Sequence, residues 1–157
     1  MDEAVFIDLC ERQMASFYRM ACSIVHEPAD AEDAVQQALL NAWRARSRAK
    51  PGLERAWLMR IVINESLTLL RRRQRAIPTE DFPTLATPED SGESAALHAA
   101  IRALPESLRT PLLLRYMEGM SEKEVAAALR LPLSSVKNRL FRARRKLQTM
   151  LNEEVSP

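Results

Sequence analysis

Glycine is scarce, at three in 157 residues, which leaves few positions for tight hairpin turns and suits a helical chain with 46% hydrophobic residues. Cysteine is scarcer. Cys10 and Cys22 lie twelve apart, without a CxxC pair or a neighbouring histidine, so a zinc site is excluded and two buried thiols are expected. His26 precedes a Glu-Pro break and His98 falls on an expected helix. Neither has a nucleophile or metal ligand at useful spacing, and both read as structural. The chain contains no GxxxxGK(S/T), no HExxH, no GxSxG and no paired glycine loop. No enzymatic activity, metal, cofactor or small-molecule substrate is therefore expected. There is no apolar run able to span a bilayer and no leader-like N-terminus, which implies a cytoplasmic protein.

What is present is charge, unevenly spread. Residues 1–40 hold eight acids against Arg12 and Arg19, whereas residues 41–75 hold ten Lys or Arg against Glu54 and Glu65. A chain with one acidic and one basic surface has two different partners. The length fits one domain or two small ones. A composition break at Ile77 favours two, because the segment to Ala96 has three prolines, five acids and no basic residue. That segment reads as a flexible linker.

Hydrophobic spacing then sets the elements. Phe6, Leu9, Cys10, Met14, Phe17, Ala21 and Ile24 trace one face of a helix from Glu3 to Val25. Asp30 and Asp33 make an acidic start to a second helix, where negative charge complements the helix dipole. Its inward stripe is Val35, Ala38, Leu39, Ala42 and Trp43, and Asp33, Gln36, Gln37, Leu40 and Asn41 fall to its sides or outside. After a Pro51-Gly52 turn, a long third helix runs to Arg75. Its two apolar stripes, Leu58, Ile61, Val62 and Leu69 and then Met59, Ile63, Leu67 and Leu70, imply burial of most of its circumference. Outside remain Arg60, Asn64, Thr68 and Arg71, a narrow stripe continuing into Arg72, Arg73 and Arg75. It suits either a nucleic-acid backbone or a solvated helix face.

Beyond the linker, Leu97, Ile101 and Leu104 mark a helix. Pro105 begins another, through Leu108, Leu112, Leu113, Tyr116 and Met117, ending near Gly119. Ser121 and Glu124 form a capping box that starts a short helix with Val125, Ala126 and Leu129 inward, stopped by Pro132. Ser134 or Ser135 caps the next. There, Val136, Leu140, Ala143 and Leu147 recur at steps of four, three and four, and Lys137, Arg139, Arg142, Arg144, Arg145 and Lys146 supply six cations without an acid. Two helices across a short turn, the second basic, read as a helix-turn-helix whose second helix enters the DNA major groove. An ordinary helical hairpin with a solvated basic face is the alternative.

With both halves laid out, the chain resembles the bacterial sigma factors of the extracytoplasmic-function group. DAEDAVQQALLNAW is similar to that family's helix for the clamp of the largest subunit of core RNA polymerase, and RAWLMRIVINESLTLLRRRQR to its promoter-melting helix. EGMSEKEVAAALRLPLSSVKNRLFRARRKL is similar to its reader of the upstream promoter element. The resemblance implies an all-α chain of two small helical domains, 1–76 and 97–152, joined by a flexible acidic linker, 77–96. It implies that the chain binds core RNA polymerase, directs it to promoter DNA and helps to melt it, with an anti-sigma factor as a further partner. Asp33, Gln36, Gln37, Leu40 and Asn41 would meet the clamp. Arg60, Asn64, Thr68, Arg71 and Arg72 would hold the minus-ten strand, with Asn64 near a flipped base. Lys137, Asn138, Phe141 and Arg142 would read the minus-thirty-five element, with Ser135 and Arg139 beside them. Two positions depart from the family's pattern, Arg130 and Ser134, where glycine is usual. Asn138 replaces a common serine. A stand-alone helix-turn-helix regulator and a polymerase-binding decoy are the competing readings.

Overall fold

The computed structural model describes residues 1–76 and 93–155, and among them seven α-helices and no strand occur. The chain divides into two compact units, the division falling between Leu85 and Ala86. Most of the acidic segment lies outside the described residues.

In the first unit, α1 (Glu3–Val25), α2 (Pro28–Arg44) and α3 (Glu54–Ala76) pack against one another. Asp2 caps α1 by accepting the Val5 N–H at 3.1 Å. The inward face is Phe6, Leu9, Phe17, Met20, Ala21 and Ile24. Met14, expected inside, is 41% exposed. Met14 lies at the margin of that stripe, whereas Met20, 1% exposed, is inside it. α1 ends at His26, whose N–H makes the last helical bond to the Cys22 carbonyl and whose φ of 61° then takes the chain out of the helix. Cys10 and Cys22, expected to be buried, are half-buried, and that partial burial pushes both thiols up from their ordinary pKa.

Pro28 opens α2 at a position where its missing N–H costs nothing. Ala31, Ala34, Val35, Ala38 and Ala42 form a ridge of small buried side chains, which lets neighbouring backbones approach. Leu39 and Trp43 are only half-buried. Trp43 meets the Phe6 ring edge-on at 5.4 Å, and the Arg46 guanidinium lies 3.8 Å from its centroid. A 3-10 turn at Arg46–Arg48 and Gly52, at φ 83°, lead into α3. Ala56, Leu58, Met59, Val62, Ile63 and Ser66 are its buried positions, the Ser66 hydroxyl donating to the Val62 carbonyl at 2.8 Å. Ile61, Leu67, Leu69 and Leu70 are half-buried, so burial of most of the circumference holds only for the first half of α3.

The second unit starts with α4 (Glu93–Ala103), earlier than the expected start at Leu97, so that Ser94, Ala95 and Ala96 are helical rather than linker. α5 (Glu106–Leu112), α6 (Glu122–Leu129) and α7 (Leu133–Val155) follow. Leu104, Leu108, Leu112 and Ala143 form a core against which Ile101, Leu147 and Met150 pack. The half-buried Arg109 guanidinium, its pKa lowered by desolvation, donates to the carbonyls of Arg102 and Leu104 at 3.2 and 3.0 Å and so caps the end of α4.

Helix α5 does not run straight through Tyr116 and Met117 as the apolar spacing predicts. Leu113–Met117 form a π-helical turn, which rotates both residues out of register and leaves them 52% and 57% exposed. The capping box of α6 is present, with Glu124 N–H to Ser121 Oγ at 3.1 Å and Ser121 N–H to Glu124 Oε1 at 3.2 Å. α6 ends at Leu129, ahead of Pro132, because Arg130 adopts a left-handed conformation at φ 53° and ψ 48°. α7 starts before either serine assigned to its cap. The N–H groups of Ser135 and Val136 both return to the Pro132 carbonyl, and Ser134 and Ser135 lie in the first turn.

Candidate nucleic-acid and protein interfaces

Burial of Val136, Leu140 and Ala143 fixes the rotation of α7. Lys137, Asn138, Phe141 and Arg142 are consequently all exposed, and their spacings of three and four place them on one continuous face. Phe141 is 51% exposed with the Arg145 guanidinium 5.8 Å from its ring centroid. Phe141, Arg142, Arg145 and Lys146 also wall a groove of about 440 Å³ whose far side is Pro105, Ser107 and Leu108. Phosphate oxygens suit such a wall, and an exposed aromatic among cations suits base edges.

Arg139 and Ser135 do not share that exposure. Both are half-buried, and Arg139 Nη1 donates to the Ser107 carbonyl at 3.3 Å. The cause lies in α5, where Pro111 has no N–H for the carbonyl one turn earlier, and Arg139 supplies a donor to it. Arg144 is likewise engaged with the Tyr116 hydroxyl.

On α3, Asn64, Arg71 and Arg72 are exposed, and Arg60 and Thr68 are half-buried. Arg73 is committed elsewhere: its Nη2 pairs at 2.6 Å with Oδ1 of Asp30, a carboxylate whose side chain is only 10% exposed. Sequence reading placed Asp30 as a dipole partner and Arg73 in a basic cluster. A pairing across 43 residues leaves no mark in either local pattern.

On α2, Asp33, Gln36, Gln37 and Leu40 are exposed, Leu40 at 53%. Asn41 is half-buried, accepting from Gln37 Nε2 at 3.0 Å and donating through Nδ2 to Glu65 Oε1 of α3 at 2.9 Å. Among the described residues no group of three or more His, Cys, Asp or Glu is placed to hold a metal, and no helix is long and apolar enough to cross a membrane.

Two family models match the chain, sigma-70 region 2 over residues 9–76 and sigma-70 region 4 over residues 94–147. The ECF RNA polymerase sigma factor SigM of Mycobacterium tuberculosis is 33% identical over 96% of this chain and 79% of its own length. The chain belongs to the ECF sigma factors. Another relative, the ECF RNA polymerase sigma factor SigE of Mycolicibacterium smegmatis, is 31% identical over 95% of this sigma factor, which spans 62% of that protein's length. A solved structure of the sigma factor RpoE with the anti-sigma factor NepR from Bartonella quintana superposes with a TM-score of 0.75 at 25% identity, covering 94% of this chain and 96% of that one. Proteins of this family bind core RNA polymerase and promoter DNA and act in transcription initiation. In this sigma factor, the region 2 match takes in α2, α3 and most of α1, and the region 4 match runs from α4 through the basic half of α7.

Proposed function

We propose that this sigma factor docks on the clamp of core RNA polymerase through Asp33, Gln36, Gln37 and Leu40 of α2, holds the minus-ten strand on α3 and reads the minus-thirty-five element with α7. The observation that carries the reading is the exposed set Lys137, Asn138, Phe141 and Arg142 on one face of a helix that buries Val136, Leu140 and Ala143 on the opposite side. Asn64 would meet a base extruded from the duplex, at a cost of a few kcal/mol that polymerase binding offsets. Arg71 and Arg72 would hold the strand backbone, with Arg60 and Thr68 at the edge of the same stripe. The domain limits 1–76 and 97–152 move in this reading to place the second boundary ahead of Glu93. The Bartonella relative is complexed with an anti-sigma factor, and an antagonist of that kind is a further partner of this reading.

The test is a titration of labelled full-length protein with core RNA polymerase, DNA absent. Gln36→Ala with Gln37→Ala should weaken saturable binding about tenfold or more, the loss expected for one or two hydrogen bonds of about 1 kcal/mol each together with their packing. No binding by the unaltered chain would transfer the reading to a stand-alone regulator. For the promoter itself, Asn138→Ser should change base preference at one minus-thirty-five position by about 1–3 kcal/mol, since asparagine pairs bidentately with adenine. Selection from a randomised promoter pool reads this directly, and an unchanged preference would remove Asn138 from the reading surface.

A further inference from the structure

Gln37 and Asn41 lie one turn apart on α2, and Glu65 faces them from α3. Their hydrogen bonds run in a single direction: Gln37 Nε2 to Asn41 Oδ1 at 3.0 Å, then Asn41 Nδ2 to Glu65 Oε1 at 2.9 Å. An ionised carboxylate only accepts, whereas a side-chain amide does both. Glu65 therefore requires Asn41 to turn its NH₂ toward α3 and its oxygen toward Gln37. That oxygen in turn requires the NH₂ of Gln37. The Gln37 carbonyl oxygen is left for a partner, on an exposed side chain one turn from the exposed carboxylate of Asp33. A row of hydrogen bonds ending in a charge is polarised throughout its length. Without Glu65, either end of the Gln37 amide could face outward.

We propose that Glu65, acting through Asn41, is a positioning residue for the α2 surface, setting the Gln37 amide so that its oxygen and the Asp33 carboxylate together meet a hydrogen-bond donor of the polymerase. This rests on the polymerase-binding reading above. Asn41, expected from the sequence to touch the clamp, becomes the link between the two helices. Glu65, one of only two acids in α3, gains a role that keeps its charge directed at α2 and away from the strand-binding stripe.

The experiment is the same titration of the full chain with core RNA polymerase in the absence of DNA. Glu65→Gln, which donates or accepts equally well, should weaken binding about threefold, and Glu65→Lys, which only donates and so reverses the row, about tenfold. In an Asn41→Ala background the row is cut, and neither Glu65 variant should change the affinity further. A merely structural Glu65 would cause the same loss in both backgrounds. In the free chain, the side-chain NH₂ resonances of Gln37 should shift on Glu65→Lys, a readout that needs no polymerase. Unaltered affinity of Glu65→Lys, an equal loss in the Asn41→Ala background, or unmoved Gln37 resonances would overturn the inference. Failure of the unaltered chain to bind would instead overturn the proposed function.

Discussion

α3 and α7 are both 23 residues long and both carry a cluster of arginines, at the end of α3 and midway along α7, yet burial divides them differently. α7 commits one stripe, Val136, Leu140 and Ala143, and apart from the half-buried Ser135 and Arg139 leaves the rest of its first half open. α3 is held by α1 and α2 together, and its functional candidates are what remains between two packed faces. Substitutions on α7 can thus separate packing from binding, whereas Arg60 and Thr68 of α3, half-buried, serve both at once.

The sharpest way to break this comparison is through the buried positions. Leu58→Ala and Leu140→Ala remove side chains that are 0% and 1% exposed, and each should cost about 2–5 kcal/mol. Hydrogen exchange should lose protection across α1, α2 and α3 in the first variant and across α5, α6 and α7 in the second. A loss below about 1 kcal/mol at Leu140 would mean that its stripe does not fix the rotation of α7.

Next in size are the arginines that resemble one another in sequence and differ in place. Arg73→Ala strands the nearly buried Asp30 carboxylate and should cost about 1–3 kcal/mol of stability. Arg72→Ala, on an exposed side chain, should stay within about 0.5 kcal/mol in stability while lowering the salt slope of promoter binding by about 1. The same contrast should hold between Arg139, tied to the Ser107 carbonyl, and exposed Lys137. Denaturant melts beside salt-dependent binding separate the two effects, and an equal stability loss from Arg72→Ala would erase the distinction.

Those pairs also mark how far the sequence was legible. The bounds of α1, the capping box at Ser121 and three of the four positions of the α7 stripe follow from local spacing, with Leu147 half-buried at the stripe's far end. Asp30 with Arg73 and Asn41 with Glu65 are joined across 43 and 24 residues, and periodicity gives a polar residue a face without giving it a partner. The π-helical turn at Leu113–Met117 was hidden for another reason. Tyr116 and Met117 keep the apolar spacing of a straight α-helix, and a change in winding alters exposure without altering composition.

The smallest effect decides what the turn before α7 demands. Arg130 stands where the family usually has glycine, and it nevertheless adopts φ 53°, with its N–H returned to the Ala126 carbonyl. Left-handed geometry costs a residue with a Cβ about 1–2 kcal/mol, and glycine in the unfolded chain gives back about 0.4–1. Arg130→Gly should therefore stabilise the second unit by about 0.5–1 kcal/mol. Gly119, at φ 68° with no atom within 4 Å of an added Cβ, supplies the reverse case: Gly119→Ala should destabilise by a similar amount through backbone conformation alone. If Arg130→Gly destabilises while Gly119→Ala behaves as expected, the Arg130 side chain contributes more to the turn than its backbone costs. Glycine at this position is then dispensable because of a contact and not because the strain is small.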